Sequence, residues 1–280
     1  MKKVLACIDA SPYGVSVTEH AAWAAQRLAA AVEVLHVIQR DGAVAERHDL
    51  SGTVGLGAKS SLLEELVQID EAHSRLAREH GKLLLEGARS RLESAGITEV
   101  ETTHRHGGVV ETVIEREADA DLVVMGKRGE SSEFASEHLG SRIERVVRES
   151  VRPVLVASRQ FEAPSRAMIA FDGGKSAKQA VEFVRSSPLF QGIELDLVLA
   201  GRAGGFREEQ MSWAEAQLPE AKAHRLEASP DEAIPSFVTE NGVGLLIMGA
   251  YGHSPLRRFI VGSTTTTMLR RCQIPVLMFR

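Results

Sequence analysis

The sequence predicts an α/β protein made of two repeated, doubly wound parallel-sheet domains, Rossmann-like, with five strands in each. Three observations carry this prediction. Apolar runs without polar alternation, "LVVM" at 122–125 and "LLIM" at 245–248, read as strands buried on both faces. Such runs alternate with helical periodicity, which implies right-handed parallel crossovers. The order of elements is also written twice. "KKVLACIDAS" (2–11) is echoed by "RAMIAFDGGKS" (166–176), and "DLVVMGKRGE" (121–130) by "GLLIMGAYGH" (244–253). "HLGSRIERVVRESVRPVLVASR" (138–159) is echoed by "IVGSTTTTMLRRCQIPVLMFR" (260–280). Three matches in the same order, the last of them carrying Pro-Val-Leu in both copies, mark a duplication.

Each repeat opens with a short apolar strand closed by an aspartate, Asp9 or Asp172, followed by small turn residues and a helical pattern. Second strands follow at Val32–Ile38 and in "IELDLVL" (193–199). Third strands follow at Glu99–His106 and in "AKAHRLE" (221–227). Asp9 to Gly126 is 117 residues and Asp172 to Gly249 is 77, so the first repeat carries about 40 extra. These fall between its second and third strands, an insertion at about 41–96. It reads as a glycine-dotted loop, Asp41–Ser60, then a long helix. That helix starts at a Ser61/Glu64 capping box, carries Leu62, Leu66, Ile69, Leu76 and Leu84 at helical spacing, and stops near Gly96. The predicted domains are 1–160 and 161–280, divided at "QFEAPS" (160–165). The last strands, "RPVLVAS" and "IPVLMF", are expected to pair with each other inside the chain, since an open edge strand invites association.

Composition narrows the function. With 44% hydrophobic and 25% charged residues in 280, the chain is an ordinary globular one, and a net charge of -5 argues against nucleic-acid binding through a basic surface. Cys7 and Cys272 lie at opposite ends, forming neither a metal motif nor a disulfide framework, which suits a reducing compartment. The apolar run of "MKKVLACIDAS" stops too early for a signal peptide, and no stretch approaches a membrane span. A cytoplasmic protein is expected.

The chemistry concentrates in two glycine loops. The second repeat has Gly249-x2-Gly252-x9-Gly262-Ser263, and the first has Gly126-x2-Gly129-x10-Gly140-Ser141, one residue longer. Glycines let main chain approach a ligand closely and adopt positive φ. A helix opening at Ser263–Thr264 aims unpaired N–H groups and a positive dipole end at the loop, which suits phosphate. Other nucleotide motifs fail. "DGGKS" (172–176) lacks the first glycine of a P-loop, since Ile169 stands there, and no G-x-G-x-x-G follows either first strand. A PP-loop pyrophosphatase is the nearest enzymatic rival, but its serine-led loop is missing. His104 and His106 share a strand face, without an evident third metal ligand, and read as a strand edge near the site. His36 reads as a satisfied core histidine and Cys7 as a buried small apolar residue.

The glycine pattern with its trailing serine, the aspartate after strand one and the Pro-Val-Leu strand together resemble a tandem universal stress protein. The two domains cover essentially the whole chain, on a fold like that of adenine nucleotide alpha hydrolases. The resemblance to the ATP-binding branch implies that Asp172 contacts adenine and that Met248 and Gly249 lie by ribose and base. It further implies that Gly252, Gly262, Ser263, Thr264 and Thr265 hold phosphate. His253 joins them as a binding residue. Asp9, Met125, Gly126, Gly129, Gly140 and Ser141 are the counterparts in the first repeat. Arg257 and Arg258 sit in the second loop with no acid, whereas Glu130, Glu133 and Glu137 sit in the first beside Lys127 and Arg128. Carboxylates oppose a triphosphate. The expectation is therefore ATP in the C-terminal domain, with Mg²⁺ held by its phosphates, and weak or no binding in the N-terminal one. The implied role is a nucleotide-dependent switch in stress response. A slow ATPase or phosphotransferase using the same site, and a nucleotide-free dimeric scaffold, are the alternatives. A chain-to-chain homodimer is left open.

Overall fold

In the computed structural model the described residues are 2–39, 56–129, 141–201, 204–250 and 263–280, apart from the side chains at 56–66, 70, 141 and 263–266. The first repeat runs β1 (Lys3–Ile8), α1 (Gly14–Leu28), β2 (Ala31–Ile38), α2 (Leu56–Ser94), β3 (Val100–His106), α3 (Val109–Arg116), β4 (Leu122–Gly126), α4 (Ser141–Glu149) and β5 (Val154–Ala157). The second runs β6 (Arg166–Ala170), α5 (Lys175–Ser186), β7 (Glu194–Ala200), α6 (Gly205–Gln217), β8 (Lys222–Leu226), α7 (Pro230–Glu240), β9 (Leu245–Gly249), α8 (Ser263–Arg271) and β10 (Val276–Phe279).

All ten strands form one sheet in the order β3-β2-β1-β4-β5-β10-β9-β6-β7-β8. Within each repeat the pairing is parallel. The repeats join where β5 meets β10 antiparallel, with Leu155 opposite Leu277, so the two Pro-Val-Leu segments face each other across a pseudo-two-fold. Successive strand residues point to opposite faces, and each face is covered. Val17 of α1, Leu92 of α2, Val181 of α5 and Met211 of α6 belong to one core. Val113 of α3, Ile143 of α4, Phe237 of α7 and Met268 of α8 belong to the other. That two-sided burial is why β4 and β9 are apolar throughout.

Two buried carboxylates occupy equivalent positions on the second strands. Glu33, beside Leu5 of β1, is fully buried and accepts two bonds from the Arg116 guanidinium at 2.9 and 2.8 Å. Thr103 Oγ1 donates to it at 2.8 Å and Lys3 Nζ at 3.2 Å. Asp196, beside Met168 of β6, accepts from Arg166 at 2.6 and 3.0 Å and pairs with His224 Nε2 at 2.9 Å. Burial alone would raise both carboxyl pKa values, but these donors outweigh it and hold both below the ordinary range.

Helix α2 departs from the sequence reading at its start. It begins at Leu56, so Ser61 and Glu64 lie inside it and the last residues of the expected 41–60 loop are helical. Serine costs only a few tenths of a kcal/mol in a helix interior, so a Ser-x-x-Glu motif need not start one. Its end is where Gly96 requires it. Gly96 has φ of 87°, its N–H reaches Glu93 O, and Ile97 N–H reaches Leu92 O while the Ile97 and Leu92 side chains bury together.

Candidate functional site

The strand order reverses between β1 and β4 in the first repeat and between β6 and β9 in the second. A doubly wound sheet opens a crevice at the carboxyl ends of those strands. Both crevices have the same floor. Asp9 follows β1 directly and its Oδ1 accepts the N–H of Ser11 at 3.0 Å; Asp172 accepts that of Gly174 at 2.8 Å. This side-chain turn fixes each carboxylate at the mouth of the following helix. Gly126 closes β4, and a Cβ there would sit 2.7 Å from Tyr13 Cβ. Gly249 closes β9, and a Cβ would sit 3.0 Å from Ser176 Cβ and 2.9 Å from Ala177 N. Tyr13 and Ser176 each lie four residues after the aspartate. At Gly129 a Cβ would meet Asp9 Oδ2 at 2.8 Å and Arg142 Nη1 at 3.3 Å. Positive φ was the other use expected of these glycines; Gly126, Gly129 and Gly249 do not adopt it, and close approach is what requires them.

In the first repeat the crevice opens into a cavity of about 790 Å³. Asp9, Met125, Gly126 and Gly129 line it together. Its walls are largely aliphatic, with Ile8, Leu35, Val37 and Val113 among them, and its polar groups include Asp9, His36, His80 and Arg142. This is the pattern of a small-molecule pocket: apolar walls and a few convergent polar groups. Ser141 is the first residue of α4, so the helix opens where the glycine loop ends; Gly140 lies outside the described residues.

In the second repeat Asp172, Met248 and Gly249 take the equivalent places, and Ser263, Thr264 and Thr265 form the opening turn of α8. Gly252, His253 and Gly262, with Arg257 and Arg258, lie outside the described residues.

Two sequence readings need correction. Lys127 does not offer its charge to the glycine loop: its side chain is buried, and Nζ donates to the carbonyls of Cys272 and Ile274 in the other repeat. Burial lowers its pKa to about 8. His36 is buried as expected but not satisfied: among the described residues its Nδ1 has no hydrogen-bond partner, and the residue lines the cavity. Burial and the neighbouring His104 lower its pKa to about 4. His104 and His106 do lie on the edge strand of the sheet, and the described residues contain no three-ligand metal cluster. Cys7 borders the cavity, only partly exposed, and burial pushes its thiol upward.

Other cavity residues were not singled out as site residues from the sequence. Tyr13, Arg142 and the α2 residues Leu76, Ala77 and His80 line it because topology brings them there. Arg142 had one available clue, its place directly after Ser141 at a helix mouth.

Known proteins agree with this architecture. The model of the universal stress protein family matches residues 1–158 and 200–280. Universal stress protein Slr1230 of Synechocystis sp. is 34% identical over 287 residues, covering 100% of both chains. A universal stress protein structure from Archaeoglobus fulgidus superposes with a TM-score of 0.71 at 22% identity, covering 99% of this chain and 97% of the other. A putative universal stress protein from Pseudomonas aeruginosa superposes with 0.66 at 14% identity, covering 99% and 92%. Among the described residues no helix is long and apolar enough to cross a membrane. With its duplicated floor and ten-stranded sheet, this chain belongs to the universal stress protein family.

Proposed function

We propose that the protein is a cytoplasmic, adenine-nucleotide-dependent switch that binds ATP mainly through its C-terminal repeat. Asp172 contacts the base, Met248 and Gly249 flank ribose and adenine, and the loop from Gly252 through His253 to Gly262 holds the phosphates with Ser263, Thr264 and Thr265. Mg²⁺ is carried on the phosphates. The opening turn of α8 supports this reading, because a helix start leaves its first N–H groups without intrahelical partners and places a positive dipole end directly after that loop in the chain. The N-terminal repeat is a second, weaker site, because its loop carries Glu130, Glu133 and Glu137 against a polyanion.

The observation that carries the proposal is the shared floor. The same aspartate turn and the same close-packed glycine recur in both repeats, and in the first they underlie a nucleotide-sized cavity at the strand-order reversal. Mass spectrometry of small molecules released on denaturing the purified protein tests it. The expected result is an adenine nucleotide near one equivalent per chain. Protein that releases none, and takes none up from millimolar ATP on dialysis, refutes the reading.

A further inference from the structure

Resting on the nucleotide reading of the two crevices, we infer that the first repeat's site selects a nucleoside monophosphate over a triphosphate, and that Arg142 sets this selectivity. The two floors match, but the residue after the helix-opening serine does not: Arg142 stands in the first repeat where the second has Thr264. A guanidinium grips phosphate with paired, charge-assisted bonds, whereas a threonine offers one neutral hydroxyl.

Arg142 is placed for that contact. It belongs to the first turn of α4, where the helix dipole already favours an anion, and it lines the cavity. One arm of its guanidinium, Nη2, donates to the side chain of Gln39, which directly follows β2. The other arm, Nη1, would stand 3.3 Å from a Cβ on Gly129, so the bare glycine gives it room. Asp9 Oδ2 would stand 2.8 Å from the same Cβ. The carboxylate assigned to the base and the guanidinium assigned to the phosphate therefore meet at one glycine. That suits a ligand whose single phosphate stays close to its nucleoside, with Ile8, Leu35 and Val37 as aliphatic wall for the uncharged part.

Charge limits the ligand to one phosphate. Lys127 is committed to the carbonyls of Cys272 and Ile274, and His36 is neutral, its pKa lowered to about 4 by burial and His104. From Arg128 to Arg142 the chain sets two arginines against Glu130, Glu133 and Glu137, a net -1. The equivalent stretch of the second repeat, Tyr251 to Thr264, holds Arg257 and Arg258 and no acid, a net +2. A phosphate monoester brings about two negative charges, which one guanidinium meets directly. Each further phosphate adds negative charge beside a stretch in which carboxylates outnumber arginines, and the second repeat has no such opposition.

Isothermal titration of AMP, of ATP with Mg²⁺ and of adenosine into Gly262→Asp, where the C-terminal site is blocked, tests this selectivity, with far-UV circular dichroism confirming the fold. AMP should bind at least about tenfold more tightly than ATP. Adding Arg142→Thr should weaken AMP at least about tenfold and leave adenosine within about twofold, and Arg142→Lys should recover part of the loss. In wild type, with enough ATP to fill the C-terminal site, AMP should still bind near one equivalent. ATP as tight as AMP in Gly262→Asp, AMP fully displaced by ATP in wild type, or Arg142→Thr weakening adenosine as much as AMP overturns the inference. So does Gly262→Asp that takes up no AMP while wild type binds ATP, and the C-terminal ATP site then still stands. Wild type that binds neither nucleotide overturns both.

Discussion

The two repeats share a backbone plan and differ in what surrounds it. Asp9 and Asp172, Gly126 and Gly249, and Glu33 and Asp196 are equivalent and make the same kinds of contact. Around them the first repeat has the longer helix between its second and third strands, α2 against α6, and carries His20, His36 and Lys127, whose counterparts by the alignment of the two copies are Phe183, Leu199 and Ala250. Duplication has kept the residues that shape the crevice floor. The residues free to diverge are those that wall the crevice or join one repeat to the other. The buried lysine is the clearest case: it bonds two carbonyls just after α8, so the start of one glycine loop is fastened to the far end of the helix that opens the other site.

The largest expected difference between the repeats lies in the buried carboxylates. Glu33 has four donated bonds, and Asp196 two from Arg166 and one contact with His224. Breaking a fully buried ion cluster costs about 3–5 kcal/mol. Arg116 and Lys3 keep partial access to water, which brings Glu33→Ala to roughly 2–4 kcal/mol, with Asp196→Ala smaller. Urea unfolding monitored by circular dichroism measures both, and equal costs would show that the extra donors of Glu33 contribute nothing.

Acid should separate the repeats next. His20 is buried, with Nδ1 bonded to the Ser16 carbonyl at 2.7 Å, and burial lowers its pKa to about 4. An unfolded histidine titrates near 6.5, so the unfolded chain binds the proton first. The stability from a neutral His20 is therefore complete above pH 6.5 and is lost as pH falls towards 4, by about 3 kcal/mol. His36 adds to the same window, less strongly because it borders a cavity. Both are in the first repeat. Trp23 and Trp213 lie one in each repeat, so the single-tryptophan variants Trp213→Phe and Trp23→Phe report them separately. The Trp23 signal should change first between pH 6 and 4.5; simultaneous transitions would contradict a local histidine effect.

Cutting the lysine link comes third. Lys127→Met leaves two carbonyls without their donor, for about 1–3 kcal/mol in urea unfolding. Ala250→Lys should have no stabilising counterpart. The smallest effect belongs to the helix ends. Ala29 caps α1 with φ of 49°, a left-handed conformation that suits glycine, while α5 ends on extended Ser187. Ala29→Gly should stabilise by about 0.5–1 kcal/mol, and Ser187→Gly should not; a destabilising Ala29→Gly would refute the strain argument.

Much of this was legible in the chain. Buried parallel strands announce themselves as short apolar runs, and duplication let each weak motif check the other; the resemblance those motifs carry named Asp9, Met125, Gly126 and Gly129, which line one cavity. Side-chain direction was not legible. Nothing in "GKRG" shows that Lys127 turns away to Cys272 and Ile274 while Arg142 reaches Gln39 beside the cavity. Nor did the spacing around Ser61 show that α2 starts at Leu56, because a capping motif is a local preference and helix continuity is cooperative.

The central claim is that the C-terminal glycine loop receives ATP. Isothermal titration of ATP into Gly262→Asp and Gly140→Asp tests it most directly. A carboxylate at the phosphate mouth should weaken binding at least about tenfold, worth 1.4 kcal/mol, in Gly262→Asp, while Gly140→Asp keeps the tight site. Loss of the tight site in Gly140→Asp alone would contradict the account.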